Sequence, residues 1–320
     1  MAKKAIEQSR GSQGFLIGIA SAVVLSFTGI LIRMVSQDYQ LPALIIAFWR
    51  DFLVVFCALP IFLILKFERL KIQKQDLGFL LAFGIALACF NIAWTFAVTL
   101  SGAAIATVLV YSSAGFTALL GHYLLNESLG FKKLVSVILC LLGCVLVSGA
   151  TDLVAWHVNA LGIISGIFSG LLYAVYSLMG RKATGRGINP WTTLFYAFLF
   201  AAAILLIINL LPLNFIPGTA SSPLDLFYLG RQWRGWLLLL LLAGGPTLIG
   251  FGLYNMSLVL LPSSTANLIL TLEPVLTAIT AYFLLGERLT TTELIGSGMI
   301  LIALILLRTK RSKRLSKMIA

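Results

Sequence analysis

What most constrains this chain is a succession of apolar stretches, each about as long as a bilayer is thick. A hydrocarbon core about 30 Å thick needs about 20 apolar residues in a helix. Ten such stretches can be marked, at about 14–34, 43–65, 77–99, 103–125, 132–150, 160–181, 190–211, 236–258, 264–285 and 292–308, numbered here spans 1 to 10. They take up most of the 320 residues and leave no separate soluble domain. Charged residues make up only 11% of the chain, against roughly 25% in soluble domains. Membrane barrels need short alternating strands, so uninterrupted runs of this length predict an all-α membrane protein of ten transmembrane helices.

The formal net charge of +12 does not point to nucleic acid, because the basic residues form no patch with interleaved aromatics. They sit between spans. With the N-terminus inside, 18 of the 23 Lys and Arg fall on the cytoplasmic side, including Lys132 and Lys133, Arg181 to Arg186, and Arg308 to Lys317. That bias and an even span count place both termini in the cytoplasm. The four cysteines lie inside spans, so no extracellular disulfide framework is expected, and Cys140 and Cys144 lack the His or carboxylate neighbours of a metal site. No metal or cofactor is called for. Residues 1–13 lead into a span too long for a secretory signal, which reads as an uncleaved first helix.

The chain repeats itself. Residues 102–147 align without a gap on 262–307, with identities at Ala106/Ala266, Thr117/Thr277, Leu125/Leu285, Glu127/Glu287 and Leu129/Leu289 among others. The shared Glu-x-Leu falls at the same helix exit in both copies. Five spans per copy is odd, so the second copy enters the membrane inverted. In keeping with that, Lys132 and Lys133 become Thr292 and Glu293. A weaker match sets Gly18-Ile-Ala-Ser21 against Gly162-Ile-Ile-Ser165. The expected organisation is a cytoplasmic segment 1–13, a five-helix repeat 14–150, an inverted repeat 151–308 and a basic tail 309–320. The long loop 212–235 reads as an outer loop with an interfacial aromatic belt, or as a lid.

The string Leu272-Glu273-Pro274-Val275 followed by Leu285-Gly286-Glu287-Arg288-Leu289 resembles the signature of EamA-type members of the drug/metabolite transporter superfamily. Tyr254-Asn255, Pro262-Ser263-Ser264-Thr265-Ala266 and Phe48-Trp49-Arg50 are similar to other segments of that family. The resemblance implies ten helices, an inverted repeat, and transport of small organic solutes in a bacterial inner membrane. Two departures stand out: the first half has Ser113-Ala114 in place of Glu273-Pro274, and Asn126 in place of Gly286.

Glu273 lies about ten residues into span 9, roughly 15 Å deep. An acid there costs several kcal/mol unless it faces protein or water, so it reads as a substrate or proton group, or as the partner of the backbone around Pro274. Pro274 and Pro246, the latter behind Gly244-Gly245, mark expected breaks in spans 9 and 8. Arg50, about a third of the way into span 2, is read as neutralising a substrate carboxylate or Glu273, or as snorkelling or tying two helices. Its neighbour Asp51 points elsewhere on the helix and need not pair with it. Asn91 and Trp94 in span 3, Tyr254 and Asn255 in span 8, Tyr111 and Asn267 complete a lining of aromatics and neutral amides, with Tyr173 and Tyr176 as further members. Such a lining suits an amphipathic, aromatic or zwitterionic solute.

No H-E-x-x-H, G-x-S-x-G or Walker loop is present, so hydrolysis and ATP-driven pumping lack their groups. The expectation is a secondary transporter exporting a small organic metabolite by alternating access. An importer or exchanger of the same fold, and a non-transporting scaffold or receptor, are the alternatives. Its partners would be the solute, membrane lipids and a coupled proton, with a homodimer left open.

Overall fold

A computed structural model describes residues 2–65, 70–147, 160–211, 216, 218–220, 222–285 and 290–316, which form helices and turns with no strand among them. The helices are α1 (Ala2–Leu25), α2 (Phe27–Tyr39), α3 (Ala43–Leu65), α4 (Lys74–Tyr111), α5 (Ser113–Leu125), α6 (Phe131–Val147) and α7 (Ala160–Gly185). They continue as α8 (Pro190–Leu210), α9 (Trp233–Leu242), α10 (Phe251–Leu260), α11 (Ser263–Leu270), α12 (Glu273–Leu285) and α13 (Thr291–Ser316). Among the described residues seven helical stretches are long and apolar enough to cross a membrane: Arg10–Ser36, Ala43–Pro60, Lys74–Val98, Ile105–Leu125, Ala160–Gly185, Pro190–Leu210 and Trp233–Leu260. The chain is therefore an integral, multi-pass membrane protein. Span 5 is the 17-residue α6, span 9 is split between α11 and α12, and span 10 is the shorter apolar stretch Thr291–Leu307. The boundary at 150/151, Glu287 and the end of the basic tail, 317–320, lie outside the described residues.

Side chains sort as a lipid solvent demands. Large apolar groups such as Leu16, Phe56, Ile164, Phe283 and Ile305 are exposed, while Tyr176, Tyr254, Phe83 and Phe198 are fully buried in the largest apolar core. Where helices press together the contacts are made on glycine, because no hydrophobic force between helices remains in lipid and dispersion needs close approach. Gly14 meets Leu260 and Leu261, Gly18 meets Ile269, Gly162 meets Leu100 and Ser101, and Gly166 meets Leu109. In α6 and α13, Gly143 and Gly296 face each other so closely that a Cβ on either would come within 2.8 Å of the other's carbonyl oxygen. Ser136 Oγ donates to Ala303 O at 3.0 Å further along, so these two helices cross antiparallel.

Helix α4 is helical without interruption through the expected turn between spans 3 and 4, yet it cannot be straight. Tyr176 and Tyr173 of α7 pack on Phe83 and Phe90, with ring centroids 4.7 and 5.2 Å apart. Gly170, less than one turn from Tyr173, lies against Leu109 and Ser113. Phe90 and Leu109 would stand about 28 Å apart on a straight helix. The chain therefore doubles back near residues 100–105, where Gly162 of α7 sits against Leu100 and Ser101.

Spans 1, 4, 8 and 9 are each interrupted. Span 9 breaks at Thr271–Leu272, just ahead of Pro274, and span 8 passes through a π-helical turn, Ala243–Gly250, that contains Pro246. Both proline signals fall where the helix is disturbed. Span 4 also breaks, at Ser112, and span 1 at Ser26, and neither has a proline nearby. Backbone groups freed in lipid cost several kcal/mol each unless they are bonded again. Here Thr247 Oγ1 donates to Leu242 O at 2.8 Å, Thr277 Oγ1 donates to Ser26 O at 3.0 Å, and Thr271 N and Leu272 N turn back to Leu268 O and Ile269 O.

Loop 212–235 is fastened rather than loose where it is described. Asn209 Oδ1 accepts from Ala220 N at 3.0 Å, Leu44 N donates to Gly218 O at 3.0 Å, and Trp49 Nε1 donates to Leu226 O at 2.6 Å. A 3-10 turn, Pro223–Phe227, opens with Asp225 accepting from Ser222 N at 2.8 Å. Trp236 then packs edge-on against Trp49, with ring centroids 4.7 Å apart.

Candidate functional site

The breaks of spans 4 and 9 lie side by side and bring polar groups together in the bundle interior. Ser113 Oγ, at the start of α5, donates to Asn267 Oδ1 at 3.1 Å, and Asn267 Nδ2 donates to Ser177 Oγ of α7 at 3.1 Å. Ser177 Oγ in turn shares a hydrogen bond with Tyr254 Oη at 2.6 Å. Asn255 Nδ2 donates to Tyr176 Oη at 3.3 Å. The rings of Tyr173, Tyr176 and Tyr254 lie nearly parallel to one another, 6.1 to 6.4 Å apart. Each link joins a different helix, so the chain of bonds holds α5, α7, α10 and α11 in one register.

Glu273 is the first residue of α12 and is half-buried. Tyr111, buried at the end of α4, stands within hydrogen-bonding reach of its carboxyl group, with Tyr173 and Cys144 nearby. A carboxyl group at this depth with a phenol beside it and part of its surface open can exchange a partner: a proton, or the cationic group of a solute. Cys140 accepts from Thr271 Oγ1 at 3.2 Å, a packing role. Among the described residues no three His, Cys, Asp or Glu come together as metal ligands would.

Arg50 is not with Glu273. Its Nε donates to Asp51 Oδ1 at 3.1 Å and its Nη2 to Asn91 Oδ1 at 2.6 Å, while Asn91 Nδ2 donates to Asp51 Oδ2 at 2.8 Å. Adjacent on one helix, Arg50 and Asp51 need not pair, yet they do, and through Asn91 the arginine also ties α3 to α4. Trp94, one turn beyond Asn91, is half-buried. Phe90 stacks on Tyr173 and Asp51 lies within electrostatic range of Tyr176, so the α7 tyrosines stand between this cluster and the one at Glu273. Pro246 and Pro274 flank the site as helix breaks and offer no functional group.

Three participants escape a reading of the sequence. Ser177 carries no signal beyond its depth in span 6. Ser113 is legible only as the repeat counterpart of Glu273. Glu127, noticed as a repeated residue, proves to be a bridge between helices. Its carboxylate accepts from Ser263 N and Ser263 Oγ, both at 2.6 Å, from Ser264 N at 3.2 Å, and from Ser264 Oγ. These are the first two residues of α11, whose N–H groups have no helical acceptor, so the carboxylate satisfies them and meets the positive end of the helix dipole. Lys133 Nζ donates to Ser264 Oγ at 2.7 Å and lies 3.9 Å from Glu127. Beside it Arg181 Nη1 donates to Leu258 O at 2.6 Å and Val259 O at 3.0 Å, covering the carbonyl end of α10. Helix ends are thus bonded to one another where span 4 finishes and span 9 begins.

Broken membrane helices stand around buried polar groups here, and comparison with known proteins gives the family to which such a bundle belongs. The EamA-like transporter family matches residues 12–149 and 160–309. The chain belongs to that family. It is a secondary transporter of the drug/metabolite superfamily, not an enzyme. It is 26% identical over 297 residues to a probable amino-acid metabolite efflux pump of Escherichia coli (strain K12), covering 90% of this chain and 93% of that protein. It is 27% identical over 287 residues to an uncharacterized transporter of Archaeoglobus fulgidus, covering 88% and 92%. A crystal structure superposes with a TM-score of 0.75 at 16% identity, over 94% of this chain and 98% of that one, a likeness of fold alone.

Proposed function

We propose that the chain exports a small organic metabolite, amino-acid-like, aromatic or amphipathic, by alternating access of two inverted five-helix repeats, 14–150 and 151–308. Ten helices cross the inner membrane of a bacterium and both termini are cytoplasmic. The observation that carries this reading is the polar lining of the paired breaks of spans 4 and 9, where Ser113 bonds Asn267 and Tyr111 stands within reach of Glu273. Packing supports the repeat. Gly162 on Leu100 and Ser101 is matched by Gly14 on Leu260 and Leu261, and Gly166 on Leu109 by Gly18 on Ile269, the partners lying 160 residues apart. This register pairs Gly14, Gly18 and Ser21 with Gly162, Gly166 and Ser169, one turn from the alignment read in the sequence. The contacts Ser136 with Ala303 and Gly143 with Gly296 are images of each other under the same shift.

The direction and class of solute find support in the relatives named as amino-acid metabolite efflux pumps. With the basic segments inside, the end tied by Glu127 is the cytoplasmic one. Flux of a panel of amino acids, nucleosides, amines and cationic drugs through proteoliposomes tests the reading, and no solute moving faster than through empty liposomes would sink it. Glu273 is assigned as the proton carrier. In the Glu273→Gln variant the pH dependence of flux should flatten between mildly acidic and mildly alkaline buffers, and an unchanged profile at unchanged rate would leave Glu273 a structural partner of the break.

A further inference from the structure

Arg50, Asp51 and Asn91 close a ring of three hydrogen bonds about 10 Å along α3 and at the matching depth of α4. The side chain of Asp51 is fully buried and that of Arg50 is 12% exposed. The guanidinium has five N–H donors in a planar fork, and the ring uses one on Nε and one on Nη2. Among the described residues only Asp51 and Asn91 bond it, which leaves the Nη1/Nη2 edge to face outward from the ring. Trp94, on the same face of α4 as Asn91, is half-buried and makes no ring or hydrogen-bond contact with any described residue. Tying spans 2 and 3 together does not require this arrangement. The Asn91–Asp51 bond already joins them, and a buried ion pair is commonly no more stabilising than apolar packing of the same volume. Nor does Arg50 snorkel, since Asn91 draws its head sideways to the neighbouring helix.

Resting on the transport reading above, we propose that Arg50 and Trp94 form a subsite for the carboxylate and aromatic body of a zwitterionic solute, with Asp51 and Asn91 as positioning residues. An arginine edge matches a carboxylate with two parallel bonds, and the indole offers an apolar face beside it. Charge sets the rest of the class. The ring is neutral, with one guanidinium and one carboxylate, so a solute anion bound alone would leave an uncompensated charge at lipid depth. A solute that brings its own ammonium does not.

Three probes of one shape separate the possibilities: L-phenylalanine, its amide, which is only cationic, and 3-phenylpropionate, which is only anionic. The full-length protein in proteoliposomes is assayed for flux of labelled L-phenylalanine, with each unlabelled probe as competitor. In the wild type L-phenylalanine should compete about tenfold better than either analogue. Arg50→Lys keeps the charge and loses the fork, so it should narrow that preference over the amide to less than about twofold. Asn91→Ala should narrow it in the same direction, an effect that a merely structural tie would not produce. The wild-type comparison needs no variant to fold. Amide competing as well as L-phenylalanine, or Arg50→Lys keeping the full preference, would overturn the subsite and leave the transport reading standing. Flux of other solutes without any of L-phenylalanine would reject the aromatic zwitterion while sparing the transporter, and no flux of anything would reject both.

Discussion

Span 4 and span 9 break at equivalent depths, one at Ser112 and the other at Thr271–Leu272, yet only span 9 has a proline. The difference teaches that the break belongs to the packing and not to the proline. At span 4 the backbone of α7 is nested against the interruption: a Cβ on Gly170 would sit 2.9 Å from Leu109 O, 3.2 Å from Ser113 N and in collision with Ser112 Oγ. Pro274 is the second residue of α12, in the first turn, where a missing N–H costs nothing because no helical acceptor exists for it. Proline at span 9 thus suits a break that span 4 makes without one.

Three substitutions press on that comparison. Gly170→Val should have the largest effect, because a branched side chain must enter backbone that cannot yield. It should cost about 3 kcal/mol or more, read as loss of a monodisperse peak on gel filtration and of flux. Glu127→Ala should come next, at about 3 kcal/mol, since it leaves the first N–H groups of α11 without their acceptor and takes the carboxylate from beside Lys133. Thermal unfolding in detergent measures that loss, and cysteines placed at the start of α11 should become more reactive to a membrane-impermeant thiol reagent. Pro274→Ala should have the smallest effect, within about 1 kcal/mol, with flux retained. A large loss there would mean that the proline makes the break in span 9 after all, and that the two spans are interrupted for different reasons.

The membrane character of the chain was legible because lipid imposes one rule on every residue of a span: length and apolarity fix a helix before any packing is known. Pro246 and Pro274 mark their breaks in the sequence without being shown to cause them, since proline suits a helix start or an irregular turn. The breaks at Ser26 and Ser112 were not legible, since a serine signals nothing until a neighbouring helix presses against it. The same limit governs the site. Tyr254, Asn255 and Asn267 stand out as polar groups among apolar ones, and the structure bonds Tyr254 and Asn267 to Ser177 and Asn255 to Tyr176. Pairing is another matter: whether Arg50 reaches Glu273, the membrane surface or Asp51 depends on side-chain torsions that residue spacing leaves free. Glu127 shows the gap most clearly, because repetition flagged the residue while its partners lie 136 and 137 positions away.

The crossing of α6 and α13 has a mechanical consequence. Gly143 and Gly296 meet backbone to backbone, with Ile300 of α13 lying over Gly143 and Leu146 and Val147 of α6 lying over Gly296. Each glycine is thus a notch that holds side chains of the facing helix, and ridges that interlock resist rotation of one helix over another. Sliding is resisted as well, because a shift along the axis would drive these side chains into the backbone beside the notch. The contact therefore behaves like a key in its slot: the two helices travel together, and the work of any opening is spent at joints elsewhere in the bundle.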